Sequence, residues 1–398
     1  MSRVLILTYR MALGYGVDVL VAEHARYLSK CGHQVFIGCI DKDSTYSDLN
    51  ISSVAPTLKS VRILAEQIRP DFIFAHTSPF FEMLPDLKDL GHCWAAEAGD
   101  PTPLLFGKDK DARQKIKDHK EQNVYPAISG VISISDFISS DIHWPKAIKI
   151  IIGHEHLIRT KNTLGPKTVS DINRGGKIKI GTLMRLGKGE AFYKGNSLYI
   201  DLVNSLSSKY PGKFEFHFMG RGSPEEAKPF TEMGIVAHLN ATDSQRDLFL
   251  RELDIFISFS LWEGFNLPLL EAQIMGTATI ALDTGAHPEV TPLIADNMFD
   301  LENFVLGMSE SPETLLRHSQ NAFHWGRQRF KWQTSLKKLE GLVQQKSGVV
   351  GYSDIPQISI FAKSKLFVSR VNWALNTYGV RLLAVKIMRR LMRRLIKA

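Results

Sequence analysis

Two glutamates, Glu263 and Glu271, stand with seven residues between them in the stretch FSLWEGFNLPLLEAQIMGTATIALDTGAHPEVT at 259–291. An ionised carboxylate only accepts hydrogen bonds, so such a pair suits a ligand rich in hydroxyl donors. The neighbouring residues predict how the pair is held. Residues 254–258 form a short apolar run of buried-strand character, and 263–267 form a turn-rich loop. Pro268 has the fixed φ favoured at a first helical position, 269–275 continue as a helix, and Gly276 stops it. Residues 279–282 read as the next strand. One acid therefore sits on a loop at the C-terminal end of a strand, and the other in the first turns of the following helix. Ligands bind at that edge of open α/β sheets. The backbone N–H groups of Gly264, Phe265, Asn266 and Leu267, with the helix start, suit an anion such as a diphosphate. A ligand with both a diphosphate and many hydroxyls is a nucleotide sugar.

The rest of the chain predicts the scaffold around this loop. In the first half, strands are expected at 4–8, 34–40, 71–75, 93–98, 130–135 and 149–152, and helices at 17–31, 57–68, 81–90 and 112–122. Gly32 and Pro70 follow two of these helices as stops. In the second half, strands are expected at 179–183, 215–220, 236–239, 255–258 and 279–282, with helices at 197–209, 244–253, 301–308 and 312–345. Alternation of this kind specifies a parallel, doubly wound sheet in each half. The polar, turn-rich segment TKNTLGPKTVSDINRGG at 160–176 reads as a linker. The expected organisation is a first Rossmann-like domain at 1–159, a second at 177–346, and a basic tail at 347–398.

Residues 259–291 resemble family 4 of the retaining glycosyltransferases, enzymes of the GT-B fold, in which two Rossmann-like domains face a cleft. The family's E-x7-E pattern falls on Glu263 and Glu271, and its G-x-x-P-E-like turn on the GAHPE segment at 285–289. The resemblance implies that Glu263 contacts the donor sugar and Glu271 the nucleotide ribose. The family's R…KG signature maps to Arg185 and Lys194. Lys188 with Gly189 is the rival for the KG position, but the helical pattern of Leu198, Ile200, Leu202, Val203 and Leu206 follows Lys194. Two fixed cations near a helix start can neutralise a diphosphate leaving group as charge grows on it. Gly14 and Gly16 follow the first strand and allow close backbone approach to a ligand. They match the family's glycine-rich loop, with Gly32-His33 matching its later Gly-His pair. Gly220 belongs to a G-x-G turn that resembles the one near the nucleotide.

Phe330-Lys-Trp332 matches the family's closing aromatic signature, after which a terminal helix crosses back onto the first domain. His154 and Glu155 resemble the hinge-side segment, and Ser133-Ile-Ser135 a buried strand end. One position departs from the pattern: Ala98 stands where many members have a histidine on the donor sugar. Glu97, Asp100 and His76 are the acceptor-side candidates to substitute for it.

The chain has 398 residues with 44% hydrophobic and 23% charged, which fits two ordinary domains and an appendage. Cys31, Cys39 and Cys93 form no paired or zinc-like spacing, so they read as packing residues of a reducing compartment. No signal peptide and no bilayer-spanning apolar run is visible. The net charge is +8, yet the ten Lys and Arg from Lys363 onward, with no acid among them, carry +10 and leave the body at −2. That distribution excludes a general nucleic-acid-binding surface. Residues 380–398, VRLLAVKIMRRLMRRLIKA, form a basic amphipathic helix pattern suited to an anionic membrane surface.

The expectation is a retaining, metal-independent glycosyltransferase that needs no cofactor. It would move a sugar from a nucleotide-sugar donor to a glycan or lipid-linked acceptor at the cytoplasmic face of the membrane. The resemblance implies front-face attack, with the leaving phosphate drawing the acceptor proton, so no Asp-x-Asp metal motif is needed. Nucleotide-sugar epimerases and glycan phosphorylases share the fold and are the enzymatic alternatives. A degenerate membrane-bound scaffold is the non-enzymatic one.

Overall fold

A computed structural model describes residues 1–160, 165–172, 176–186 and 190–344. The tail expected at 347–398, the basic helix within it, and the rival Lys188-Gly189 pair lie outside those residues.

The first lobe is a seven-stranded sheet of β1 (Arg3–Met11), β2 (Gln34–Lys42), β3 (Ile51–Ser53), β4 (Phe72–Ala75), β5 (His92–Glu97), β6 (Gly130–Ser133) and β7 (Ile148–Lys149). Its order is β3-β2-β1-β4-β5-β6-β7, and every neighbouring pair is parallel. The second lobe has β8 (Ile178–Arg185), β9 (Phe214–Arg221), β10 (Val236–Leu239), β11 (Ile255–Ser258), β12 (Ala278–Leu282) and β13 (Ile294–Ala295), ordered β10-β9-β8-β11-β12-β13 and again all parallel. Central strands of a parallel sheet are covered on both faces, so they are continuous apolar runs rather than alternating ones. Residues 4–7 of β1 and 255–257 of β11 follow that rule and are fully buried. The architecture is the two-domain α/β arrangement the sequence implies.

The strand orders fix where a ligand can bind. In the first sheet the order reverses between β1 and β4, and in the second between β8 and β11. The crevice outside the carboxyl ends of strands at such a switch point is the binding position in open α/β sheets. Residues 12–16 leave β1 there, 186–195 leave β8, and 259–266 leave β11.

Several local expectations are corrected. The helix expected at 81–90 is one turn, Phe80–Met83, followed by a 3-10 turn at Leu84–Leu87, because Pro85 removes a backbone donor. The helix expected at 312–345 is two, Pro312–Arg329 and Trp332–Gln344. Phe330 breaks it at φ −114°, ψ 87°, and its ring packs edge-on against Phe265, 5.3 Å between centroids. The Glu155 carboxylate then accepts the Trp332 N–H at 2.7 Å, starting the second helix from the other lobe. That helix crosses back as expected: Tyr27 of the first helix, Gly16–Lys30, donates to Glu340 at 3.2 Å.

Where it is described, the linker expected at 160–176 docks on the second lobe. Lys167 is 2% exposed and donates to the Leu253 carbonyl, while Arg251 donates to the Gly165 carbonyl at 2.8 Å. The helix Asp136–Asp141 is added to the expected elements.

Candidate active site

A cavity of about 340 Å³ opens between the two lobes at their switch points. Gly14, Gly16, Arg185, Lys194, Gly220, Glu263, Gly264, Phe265, Asn266 and Leu267 all line it. A larger depression of about 510 Å³ lies at the opposite edge of the first sheet, beside Asp71, His92 and Ser129, where the strands begin.

The Glu263 side chain meets Lys194 Nζ at 2.6 Å, with the two side chains only 13% and 20% exposed. Gly195 makes this approach possible. Its φ is +73°, and a Cβ there would lie 2.1 Å from the Phe259 carbonyl oxygen, so the Lys194 turn rests directly on the loop that leaves β11. Leu261 N–H to the Tyr193 carbonyl, 2.7 Å, ties the same two segments. Burial alone would raise the Glu263 carboxyl, but the Lys194 ammonium holds it below its ordinary value. Burial likewise opposes the Lys194 charge, and Glu263 outweighs it, so the ammonium is held above its ordinary range.

Below Glu263 the loop is fixed by a buried polar network. Asn266 is left-handed at φ 75° and caps the helix Leu267–Ile274 through its side-chain oxygen, 3.2 Å from Leu269 N. Its amide donates to Ser258 Oγ at 2.7 Å and to His287 Nε2 at 2.8 Å. His287 Nδ1 lies 2.9 Å from the Leu282 carbonyl, which can only accept, so Nδ1 carries the proton and Nε2 is the acceptor. Burial keeps this imidazole neutral by lowering its pKa. Among the described residues, the N–H groups of 264–267 donate to no protein group, so they can serve an anion.

Glu271 differs from expectation. Its side chain is 2% exposed and is not at the cavity wall. Trp332 donates its indole N–H to His156 Nδ1 at 3.2 Å, so His156 Nε2 is the protonated nitrogen, 3.3 Å from Glu271 Oε1. Arg246 Nε lies 3.5 Å from the other oxygen, while Nη1 donates to Asp243 at 3.0 Å and Nη2 to Asp247 at 3.1 Å. Burial would raise Glu271, but Arg246 and His156 hold it low. Arg246 and Asp243 are the members of this cluster that reach the cavity.

The acceptor-side candidates are corrected more sharply. Glu97 is 1% exposed and bound by Lys120 at 2.8 Å and Tyr125 at 2.6 Å. Asp100 joins that cluster through Lys120 at 2.9 Å, with its side chain 60% exposed. His76 is buried against His24, 5.2 Å between ring centroids, and burial pushes its pKa down to about 3. None of the three lines the cavity: Glu97 and His76 are buried within the first lobe, and Asp100 is drawn to Lys120. Ala98, Gly99 and Pro101 line it instead. The Ala98 carbonyl would be 2.1 Å from a Cβ on Gly264, so backbone meets backbone where a histidine was expected.

Residues not singled out from the sequence complete the wall. Trp262 lines the cavity, and its buried indole N–H has no partner among the described residues. Arg221 enters from β9, opposite Arg185 in the β8–β9 register. Glu289 spans the lobes: its oxygens accept from Asp136 N at 2.9 Å and Phe137 N at 2.7 Å, capping the helix Asp136–Asp141. Ser135 Oγ donates to the Gly264 carbonyl at 2.7 Å beside it. The G-x-x-P-E turn carried the signal for Glu289, but its partners lie more than 150 residues away.

Known proteins share this fold. HepE of Anabaena, crystallised with UDP and glucose, superposes with a TM-score of 0.70 at 14% identity, covering 87% of this chain and all of that one. Sucrose-phosphate synthase from Thermosynechococcus elongatus gives 0.71 at 12% identity, covering 87% and 99%. The catalytic domain of starch synthase IV from Arabidopsis thaliana, bound to ADP and acarbose, gives 0.62 at 14%, covering 87% and 99%. At these identities the likeness establishes the GT-B fold. No curated protein matches the chain in sequence. Residues 180–311, which carry Arg185, Lys194, Glu263 and Glu271, match the model of the family described as glycosyl transferases group 1.

Proposed function

We propose that this protein is a retaining, metal-independent glycosyltransferase of family 4 that transfers a hexose from a nucleoside diphosphate sugar. The carrying observation is the Lys194–Glu263 pair at 2.6 Å beside the N–H groups of 264–267, in a cleft between two switch points. Lys194, Arg185 and those N–H groups would hold the diphosphate and stabilise the charge that develops as the sugar–phosphate bond breaks. Glu263 would orient the sugar hydroxyls. The ribose would be received at the Glu271–Arg246–Asp243 cluster. Gly14 and Gly16 would face the diphosphate and acceptor from the other lobe, with Gly220 toward the nucleotide.

UDP is the first nucleotide to try, since the HepE structures hold UDP and UDP-glucose. The basic pattern at 380–398 supports a peripheral membrane setting and an acceptor that is lipid-linked or part of a surface glycan. No described helix is long and apolar enough to cross a membrane.

The test is a thermal-shift screen of nucleoside diphosphates and their sugars, followed by NMR of the anomeric configuration of the released or transferred sugar, with and without EDTA. A ligand that binds only the folded state raises the melting temperature. Retention of configuration that survives EDTA is expected. Inversion, dependence on a divalent ion, epimerised donor or phosphate-dependent release of a sugar phosphate would each replace the proposal. Sedimentation with anionic but not neutral vesicles, lost on truncation after Lys346, tests the membrane setting.

A further inference from the structure

We infer that Arg10, Tyr15 and Arg221 form a second anion subsite, which holds a phosphate carried by the acceptor; the inference rests on the donor cleft proposed above. Three guanidinium groups converge on the Tyr15 ring, with Arg10 at 3.9 Å, Arg185 at 4.6 Å and Arg221 at 5.1 Å from its centroid. They come from the ends of three strands in two lobes. Arg185 and Arg221 are register partners where β8 and β9 end, and Arg10 is opposite Asp41 near the end of β1. Gly14 lets the lobes meet here. Its φ of +86° favours glycine, and a Cβ there would lie 2.7 Å from Arg221 Nε and displace that side chain.

The Arg10 and Arg221 charges are offset only in part by their neighbours. An aromatic face orients a cation but does not neutralise it. Arg10 pairs with Asp41 at 3.2 Å, but the Asp41 side chain is 60% exposed, so water screens the pair and it can exchange. Among the described residues, the Arg221 guanidinium makes no hydrogen bond or ion pair. The nearby acids, Asp43 beside Arg221 and Asp18 beside Arg10, are also held by backbone N–H donors. Asp43 accepts from Leu13 N at 2.9 Å and Thr45 N at 2.7 Å. Asp18 accepts from Ala12 N at 2.8 Å, and burial raises its carboxyl to about 7, so it is only partly charged at neutral pH.

With the donor diphosphate matched to Arg185 and Lys194, Arg10 and Arg221 exceed what the donor needs. Two guanidinium forks can bracket a tetrahedral phosphate, whereas a carboxylate is satisfied by one. The ligand class is therefore a phosphate ester beside the acceptor hydroxyl, on either a soluble sugar phosphate or a lipid phosphate.

Calorimetry on the full chain tests this. UDP, ADP and GDP are titrated first. Inorganic phosphate is then titrated into protein saturated with whichever nucleotide binds, followed by glucose 1-phosphate, farnesyl phosphate and acetate in separate runs. Inorganic phosphate should bind the loaded protein, and Arg10→Gln and Arg221→Gln should each weaken it about tenfold while weakening the nucleotide by less than about threefold. Tighter binding of glucose 1-phosphate than of farnesyl phosphate assigns the soluble source, and the reverse assigns the lipid. The subsite is overturned if phosphate fails to bind, if both variants bind it normally, if acetate binds as well, or if nucleotide affinity falls in parallel. If no nucleotide binds, phosphate is titrated into the free protein. Loss in the two variants then keeps the subsite and removes the donor reading. Melting curves, and Arg10→Lys with Arg221→Lys, separate loss of the site from loss of the fold.

Discussion

Replacing Glu263 with Gln should weaken the free protein and leave its grip on a nucleoside diphosphate intact. In the structure Lys194 and Glu263 satisfy each other at 2.6 Å, with 20% and 13% of their side chains exposed. Removing one charge of a buried pair costs about 3–5 kcal/mol, and the residual solvent contact puts this pair at the lower end, about 3 kcal/mol. For a domain of this size that is a fall of about 6–12 °C in melting temperature. The sign with pH follows from the depressed Glu263 carboxyl. A lowered folded pKa contributes stability above the unfolded value near 4.5, and that contribution is lost as pH falls through the folded pKa. The gap between wild type and Glu263→Gln should therefore be full at pH 7 and narrow below about pH 4.5.

A diphosphate supplies the negative charge that Lys194 has lost in this variant. Nucleoside diphosphate affinity in Glu263→Gln should equal or exceed wild type, while sugar transfer falls by at least about a hundredfold. Lys194→Met should do the opposite to binding, weakening the nucleotide by about tenfold or more. Calorimetry with the diphosphate, differential scanning across pH 4–8 and a coupled transfer assay measure the three quantities. If Glu263→Gln weakens the diphosphate as much as Lys194→Met does, the exchange of partners at Lys194 is wrong.

Two further outcomes follow from the same geometry. Arg246→Met removes the cation shared by Asp243, Asp247 and Glu271, at a cost of about 3–5 kcal/mol, and adding Glu271→Gln should recover part of it. Denaturant titration of the single and double variants reads this, and additive losses would refute the coupling. Glu289→Gln keeps the shape but removes the charge that accepts two backbone N–H groups from the other lobe. It should cost about 1–2 kcal/mol of lobe closure and enlarge the radius of gyration seen by X-ray scattering without nucleotide. An unchanged scattering profile and unchanged donor KM would count against a role in closure.

Much of the fold was readable because it is written locally. A buried parallel strand declares itself as an apolar run, and helix stops declare themselves as Gly or Pro, so the two sheets emerge from 4–7, 72–75, 255–257 and 278–282 alone. Glu263 and Lys194 were legible for the same reason, each beside a glycine in a strand-to-helix turn. The misreadings concern what a residue meets across the chain. Glu97 and His76 are acids or imidazoles at strand ends, as a site residue would be, but Lys120 and His24 reach them from elements far along the sequence and bury them. Glu271 has the expected spacing, yet its burial is decided by Trp332 and His156, neither of which leaves a mark on the periodicity of its own helix. The Ser223/Glu226 capping box, by contrast, is a local signal, marking where the helix Pro224–Thr231 starts.

The same contacts explain why the site needs both lobes. Glu263 and Lys194 belong to the second lobe and are held there by the Gly195–Phe259 contact and the Asn266–His287 network, independently of the first. The first lobe touches that unit at the Ala98 and Gly264 backbones, at Ser135 and at Glu289, all within a few residues of Glu263 in sequence or space. Nucleotide affinity should therefore reside in the second lobe, whereas the exclusion of water from the breaking bond depends on the first lobe closing over it. Electrostatic stabilisation of a leaving phosphate grows as water is excluded. A change at Glu289 or Ser135 that leaves nucleotide affinity alone should thus lower transfer more than binding, and should shift the balance from transfer toward hydrolysis of the donor.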